Sequence, residues 1–345
     1  MAEDPITWGF ERYFEPLSID TQTFVESENC ADCHPVIYSQ WSQSRHALAW
    51  SNDIFQAGYI VEPDPICVFC HAPLPEQSRE VFANHQWYLA QHPDRQKSST
   101  SLKDIPKLPE PRSAEGISCA VCHIRQAKVI GTQPADEAHP SIVSSKLSSS
   151  DFCKDCHDFP VVERHSGQVW ISETPMQSTW QEWSTWAASQ KTAPTCQDCH
   201  MPEGRHDFHG ANHRPLLAKS LHVDVHRNQD SLTFTLRSVG VGHSFPTGDL
   251  FRHMTLEIRE GKDWKVIHSM GRIFQLQFDE EDQMTHKRLQ SDTSLKPGAP
   301  QKIQITAAHP IEWRVVYHYA STKDEERAMV SFDQLIEVMT TGISP

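Results

Sequence analysis

Ten cysteines constrain this chain more than any other feature, because all of them fall in copies of one short pattern. Each copy reads Cys-x-x-Cys-His, and the five copies lie at residues 30–34, 67–71, 119–123, 153–157 and 196–200. A disulfide framework would explain the even number of cysteines, but not the histidine after every second cysteine. Any account of fold and function must therefore explain a fivefold repeated Cys-x-x-Cys-His unit.

Two other cysteine chemistries fit the pattern poorly. Structural zinc would combine pairs of Cys-x-x-Cys units into four-thiolate sites, and five units cannot be divided in that way. A thioredoxin-like redox motif would occur once, near a βαβ pattern. Cys-x-x-Cys-His is instead the attachment signature of haem c, because two thiols three residues apart on a helical turn can bond one porphyrin. The histidine then ligates the iron as its proximal ligand.

The sequence therefore predicts five covalently attached haem c groups. The attachment residues are Cys30, Cys33, Cys67, Cys70, Cys119, Cys122, Cys153, Cys156, Cys196 and Cys199, and the proximal ligands are His34, His71, His123, His157 and His200. Haem also explains the composition, which is about 40% apolar when Gly is counted and Tyr is not, against about 45–50% in a typical soluble domain. Large apolar macrocycles can replace the missing side chains in the core.

Charge and hydropathy exclude other classes of protein. A net charge of −14 without any cluster of Lys and Arg argues against nucleic-acid binding, which needs a basic face. No apolar stretch approaches the about 20 residues that span a bilayer, so no membrane span is predicted. Haem c is attached outside the cytoplasm, so we expect a periplasmic or extracellular protein. No signal-type apolar region follows Met1, and we therefore expect the export signal to be absent from this chain.

The pattern along the chain predicts an α+β protein in three parts. Residues 1–25 are an N-terminal extension, residues 26–213 form a haem-packed domain made mostly of helix and loop, and residues 214–345 form a β domain. In the haem domain, spaced tryptophans predict a helix over 179–189, and Asp151 is expected to cap a helix before the fourth motif.

Period-two alternation begins after residue 220, where cysteine disappears. It predicts strands that include residues 232–236, 254–258, 274–278, 303–305 and 313–319. Glu260-Gly261-Lys262 fits a hairpin turn between two of these strands. Short strands separated by turn signals are typical of an antiparallel β-sandwich-like domain.

Several short elements resemble multihaem cytochromes similar to cytochrome c554. Trp41-Ser-Gln-Ser44-Arg-His46-Ala47 resembles the W-x-x-S-x-H-A element of that group, and further elements are Gly116-Ile-Ser-Cys119, Ala138-His139-Pro140 and His206-x-Phe208-x-Gly210. The segment Gly-His-Ser-Phe-Pro-Thr-Gly at 242–248 is similar to one found in such cytochromes with a C-terminal β domain. The resemblance implies a multihaem cytochrome, but it does not select one activity.

After the five proximal ligands, 16 of the 21 histidines remain as candidates for the opposite side of each iron. Low-spin electron-transfer haems need a second axial ligand, and in multihaem proteins this is usually histidine. The resemblance implies His46, His139 and His206 as distal ligands. Further candidates are His243, His213 and His85. Methionine is the other common ligand, but Met201 directly follows a proximal histidine, and we expect histidine throughout.

Two functions remain open from the sequence. The first is an electron carrier, in which five mainly bis-histidine haems form a conducting chain in respiratory or extracellular electron transfer. Its partners would be other cytochromes or copies of the chain itself, which could stack into a haem wire. The alternative is a reductase or oxidase of a small nitrogen or sulfur compound, with one haem that has an open distal position. All five motifs end in histidine, which favours the carrier over nitrite reductases that use Cys-x-x-Cys-Lys.

Overall fold

The computed structural model of the chain describes residues 26–61, 65–74, 76–77, 81, 112–125, 128–134, 141–165, 168–249, 251–278, 284–320 and 336–345. The predicted extension 1–25 and the candidate ligands His85 and His139 lie outside these residues. Among the described residues, one compact unit comprises those up to 155 together with 195–209, and a second comprises 156–194 and those from 210 onward. In the described residues, no helix is both long and apolar enough to cross a bilayer.

Short helices carry or flank the Cys-x-x-Cys-His copies. In chain order they are α1 Ser27–Ala31, α2 Pro35–Ser42, α3 Asp53–Val61, α4 Pro65–His71, α5 Cys119–His123, α6 Lys154–His157, α7 Thr179–Ala187, α8 Cys196–His200 and α9 Arg214–Lys219. Single 3₁₀ turns form at Arg112–Glu115, Ser145–Ser148, Ser150–Cys153 and Pro202–Gly204. Helices of one or two turns are marginal on their own, so packing must hold them.

The strands lie mainly in the second unit. They are β1 Ile124–Arg125, β2 Lys128–Gly131, β3 Ser141–Val143, β4 Asp158–His165, β5 Gln168–Ser178, β6 Leu221–Asn228, β7 Ser231–Ser238, β8 His253–Glu260, β9 Asp263–Phe278, β10 Met284–Asp292, β11 Gln301–Thr306, β12 Glu312–His318 and β13 Ile336–Ile343. Together with the helices they make a mixed α+β protein, as predicted.

Two sheets of the second unit share one core. The first has strand order β10-β9-β8-β12-β13 and the second β11-β7-β6, with antiparallel pairing throughout. Every second residue of β7 is buried: Leu232, Phe234 and Leu236 are fully enclosed. Phe234 meets Trp313 of β12 edge to face, with ring centroids 5.8 Å apart. Burial of each such side chain contributes about 1.5–3 kcal/mol.

The structure confirms the five predicted strand segments in β7, β8, β9, β11 and β12, except that β12 ends at His318, one residue before the predicted end. The hairpin turn is also confirmed, because β8 and β9 pair from Glu260 and Asp263 onward around Gly261. Gly261 has a φ of +68°, which is a conformation that favours glycine.

Two local expectations need correction or extension. Asp151 does not cap the helix before the fourth motif, because the Ser149 hydroxyl accepts the Asp151 N–H at 3.2 Å and Asp151 itself lies in the first turn. Ser149 is the better cap here because its backbone is extended, as an N-cap requires.

The strands β1 to β5 fall between residues 124 and 178, within the region expected to be mostly helix and loop. The helix predicted over 179–189 is confirmed as α7.

Candidate haem-binding site

Three of the Cys-x-x-Cys-His copies are helical throughout: the one at residues 67–71 ends helix α4, and the other two form complete single turns, α5 and α8. The residue before each turn is extended, with ψ of 171° at Ser118 and 169° at Thr195, so each helix begins at its first cysteine. Thr195 also forms a capping box, in which its Oγ1 accepts the Asp198 N–H and the Asp198 carboxylate accepts the Thr195 N–H at 2.7 Å. Such a turn places both thiols of a motif on one side, as attachment to one porphyrin requires.

Three of the five motif histidines use the same ring nitrogen in the same way. The Nδ1–H of His71 donates to the Ala49 carbonyl at 2.6 Å, that of His123 to the Ile130 carbonyl at 3.0 Å, and that of His200 to the His209 carbonyl at 2.5 Å. A carbonyl oxygen only accepts, so in the neutral ring Nδ1 carries the proton and Nε2 keeps its lone pair. This tautomer is the one that binds a metal through Nε2.

The distal candidate His206 faces the proximal His123. Their ring centroids are 6.1 Å apart, with 32° between the ring planes. An iron held between two imidazole nitrogens at about 2.0 Å each would set the centroids about 6 Å apart. His206 also donates its Nδ1–H to the Gly204 carbonyl at 2.9 Å, and burial followed by the neighbouring His123 lowers its pKa, which favours the neutral form.

Helix α2 holds the segment that carries His206. The backbone N–H of His206 donates to the Gln40 side chain at 2.9 Å, across 166 residues of sequence. Phe208 lies two residues further on, with a φ of +48°, and its ring packs edge-on against His46 with centroids 4.1 Å apart. The Phe208 and His206 ring centroids are 5.9 Å apart, so the first unit brings His46, Phe208, His206 and His123 into one series of ring contacts.

The segments around His46 and Gly116 are hydrogen-bonded to each other and closely packed. The Ile117 N–H donates to the His46 carbonyl at 2.9 Å, and Trp41 Nε1 donates to the Ile117 carbonyl at 2.8 Å. Gly116 has a φ of +56°, and a Cβ there would lie 2.5 Å from the His46 carbonyl oxygen. Only glycine fits, because both the backbone angle and the available space exclude a side chain.

The candidate ligand His243 lies in a loop between β7 and β8 that helix α7 supports. The Glu182 carboxylate accepts the Ser244 N–H at 3.2 Å and the Thr247 hydroxyl at 2.7 Å. The Trp186 ring packs so closely on Gly242 that a Cβ there would lie 2.5 Å from it. His243 donates its Nδ1–H to the Ser244 carbonyl at 2.8 Å, so in the neutral ring Nε2 is the nitrogen without a proton.

The remaining site residues have simpler positions. His34 precedes α2 as its N-cap residue, His157 ends α6, and His213 precedes α9 as its N-cap residue. His213 and His243 belong to the second unit, and His85 and His139 lie outside the described residues. The attachment cysteines Cys33, Cys67, Cys70, Cys122, Cys156 and Cys199 are all half-buried or exposed.

Histidines on the second unit's strands use their rings differently. Nε2 of His222 contacts the Asp224 carboxylate at 2.9 Å, that of His268 the Gln301 side chain at 3.2 Å, and that of His318 the Thr255 hydroxyl at 3.0 Å. In these residues the nitrogen that a haem iron would take is occupied by a protein group. His253 differs, since its Nδ1 contacts the Phe251 carbonyl and its ring stacks on His318 at 4.2 Å.

The cysteines also pair between motifs. The thiols of Cys30 and Cys119 form a hydrogen bond, which raises the pKa of Cys30 and lowers that of Cys119 to about 7. A hydrogen bond between Cys153 and Cys196 likewise lowers the pKa of Cys196 to about 6. The first motif therefore lies against the third, and the first cysteine of the fourth motif lies against the fifth.

Comparison with known proteins agrees with these observations. The family described as cytochrome c554 and c-prime matches residues 29–90, which include the first two motifs. The fold is similar to the crystal structure of a penta-heme cytochrome c552 from Thermochromatium tepidum, with a TM-score of 0.62 and 19% identity over 93% of this chain and 98% of that one. No curated protein sequence matches the chain.

The predicted resemblance to multihaem c-type cytochromes is confirmed. The donor set of the described residues fits haem c, because each motif offers two thiols and an imidazole. Within the described residues, no group of three or more His, Cys, Asp or Glu is arranged to hold a bare metal ion. A haem needs no such group, since the porphyrin supplies four of the iron's ligands and the protein only the axial ones.

Three features of the site escaped the sequence analysis. They are the contact of Phe208 with His46, the support of the His243 loop by Glu182, and a buried serine three residues before the first cysteine of the first and fourth motifs. Only the serine leaves a signal in the sequence, namely Ser-x-x-Cys-x-x-Cys-His at Ser27 and Ser150.

Proposed function

We propose that the chain is a pentahaem c-type cytochrome that carries electrons along a series of covalently bound, mainly bis-histidine haems. The 6.1 Å spacing of the His123 and His206 rings carries this proposal, because it matches two axial ligands of one iron. When bound, each haem supplies an iron that is reduced and reoxidised without a change of its covalent attachment. The protein's part is to position the haems and to set their potentials.

The pairing of motifs supports a conducting series rather than isolated redox centres. Thiols in hydrogen-bonding contact, as at Cys30 and Cys119 or at Cys153 and Cys196, would attach two macrocycles to adjacent points of the protein. Haems held in this way lie close together, which short-range electron transfer requires. All-histidine ligation generally gives lower reduction potentials than ligation by histidine and methionine.

In this proposal, His206 is the distal ligand of the haem at residues 119–123. His46, His243 and His213 are the distal candidates among the other described residues, and His85 and His139 stay predictions from the sequence. Hydrogen bonds from Nδ1 to backbone carbonyls orient the rings of His206 and His243 and increase the basicity of their Nε2 atoms.

The setting of the proposed cytochrome is respiratory or extracellular electron transfer, in the periplasm or outside the cell. A net charge of −14 would steer basic partner surfaces toward the protein. Partners would be other redox proteins, including further copies of the chain in a haem wire. Residues 214–345, proposed as a β-sandwich-like domain, carry no Cys-x-x-Cys-His motif and are the proposed docking domain.

The variant His206→Ala tests the ligand assignment and the function together. We expect all five haems to remain attached and one of them to become high-spin in the EPR spectrum of the oxidised protein. The matched control is His222→Ala, which removes an exposed strand histidine whose Nε2 already binds Asp224. Unchanged low-spin content in the His206 variant would remove His206 from the ligand set. A high-spin haem in the unmodified protein that shifts with nitrite or hydroxylamine would instead favour an enzyme.

A further inference from the structure

Two buried serines make the same contact at two separate places in the first unit. The Cys119 N–H donates to the Ser27 hydroxyl at 3.2 Å, and the Cys196 N–H donates to the Ser150 hydroxyl at 3.0 Å. The two serines are only 1% and 2% exposed. Each lies three residues before the first cysteine of its own motif and binds the first cysteine of another motif.

The contact satisfies a known need of the partner helix. The first N–H groups of an α-helix have no acceptor within the helix, and Cys119 and Cys196 are the first residues of α5 and α8. A hydroxyl supplied by a different motif accepts one of these N–H groups. The N-terminal N–H of one motif helix therefore has its acceptor in a serine that belongs to another motif.

The sequence separates the motifs into matching types. The first and fourth motifs have serine three residues before the first cysteine, whereas the second, third and fifth have Asp64, Gly116 and Ala193 there. The third and fifth motifs instead have a hydroxyl residue, Ser118 or Thr195, directly before the first cysteine. The two motifs with the upstream serine contact the two motifs with a hydroxyl residue directly before the cysteine. The second motif, which is preceded by Ile66, has neither feature.

Each serine link is reinforced by a different second contact. The Ser27 hydroxyl donates to the Glu115 carboxylate at 2.9 Å, and the same carboxylate accepts the Ser27 N–H at 3.1 Å. In the other pair, Gln197 Nε2 donates to the Leu147 and Ser149 carbonyls at 2.9 and 2.8 Å. The serine contact is therefore the common element of two otherwise different interfaces.

We propose that Ser27 and Ser150 are positioning residues that fix the spacing of two haem pairs, first with third and fourth with fifth. This inference rests on the proposed function, because it assumes that the motifs carry haem. Each hydroxyl ties the start of one haem-binding turn to the start of its partner, so its loss lets the two attached haems move relative to each other. The second motif takes no part in these two serine contacts.

The test compares Ser27→Ala and Ser150→Ala in the fully matured protein. The readouts are the number of attached haems, from the pyridine haemochrome assay, and the Soret circular dichroism, in which coupled neighbouring haems give a two-signed band. We expect five haems in each variant and a partial loss of the two-signed band, with the two losses additive in the double variant because the sites are separate. Ser42→Ala and Ser148→Ala are the controls, since the Ser42 hydroxyl donates to the Ser39 carbonyl within helix α2 and Ser148 is exposed.

The outcomes separate this inference from the proposed function. Five low-spin haems with an unchanged Soret band in both variants would overturn the positioning role and leave the cytochrome intact. If a Ser→Ala variant matures with fewer haems, Ser27→Thr or Ser150→Thr must restore both the haem count and the band, because threonine keeps the hydroxyl. Failure of the threonine variants to restore them would also overturn the inference. Absence of haem from the unmodified protein would count against the proposed function itself.

Discussion

The two compact units differ in what fills their interiors. In the described part of the second unit, fifteen buried side chains from both sheets and helix α9 form one continuous apolar core. In the described part of the first unit, buried apolar residues form two small clusters, one around Trp50 and Val68 and the other around Leu74 and Ala120. The helices in the described part of the first unit have nine residues or fewer, and helices of this length are marginal on their own. The second unit thus has a core made of its own side chains, whereas in our proposal the haems complete the core of the first unit.

Removal of one haem attachment should have the largest effect, and it should be confined to the first unit. We expect Cys119→Ala/Cys122→Ala to lower the haem count by one and to deprotect residues 112–125 and 26–50, because the first and third motifs lie together. Hydrogen exchange measured by mass spectrometry checks this, with Val121→Ala as the control inside the same motif. Equal deprotection of strands β6 to β12 would show that the second unit also depends on this haem.

Truncation of a core side chain in the second unit should destabilise that unit and leave the first unit's haems in place. Phe234→Ala should destabilise the second unit by about 3–5 kcal/mol, because a fully enclosed ring leaves a cavity. Denaturant unfolding followed by strand circular dichroism measures this loss, and the haem count should stay unchanged. Val266→Ala, at a side chain that is 50% exposed on β9, is the control and should cost little. Loss of haem from the Phe234 variant would contradict the separation of the two cores.

A substitution at Gly116 tests how closely the segments of the first unit pack. Gly116→Ala should destabilise it by about 2–3 kcal/mol, because the new Cβ meets the His46 carbonyl and the positive φ disfavours alanine. Thermal unfolding monitored in the Soret band measures the change. Gly58→Ala in α3 is the control, since it meets open space and should be neutral or slightly stabilising. An unchanged midpoint for Gly116→Ala would show that the interlocked segments tolerate movement.

The smallest effect concerns acid stability of the second unit. Burial, followed by the stacked His253, lowers the pKa of His318 to about 4, while Glu257 opposes this and Arg314 adds to it. Between pH 6.5 and 4 the unfolded chain binds a proton that the folded one does not, so stability falls as the pH falls through this range. His318→Gln should remove about 1–2 kcal/mol of this pH dependence, with solvent exposure taken into account.

Unfolding midpoints at pH 4.5 and 7.5 measure that difference. His222→Gln is the control, because its side chain is exposed on β6. A pH dependence that is equal in the His318 variant and the unmodified chain would assign the acid sensitivity to other groups.

The sequence allowed prediction of those features that depend on neighbouring residues. Two such features are the Cys-x-x-Cys-His turns and the alternating strands, such as Leu232 to Leu236. Each of these local patterns predicts a single local structure. The contact of His206 with His123 and with Gln40 spans up to 166 residues, and no local pattern specifies such a pairing. The Ser149 cap was missed because two adjacent residue types, serine and aspartate, both suit an N-cap, and only the backbone angles distinguish them.

Quantitative EPR of the oxidised, fully matured protein distinguishes an electron carrier from an enzyme. For a carrier we expect five low-spin haems per chain and a spectrum that nitrite or hydroxylamine leaves unchanged. A high-spin signal that responds to either compound, or fewer than five haems per chain, would contradict this expectation.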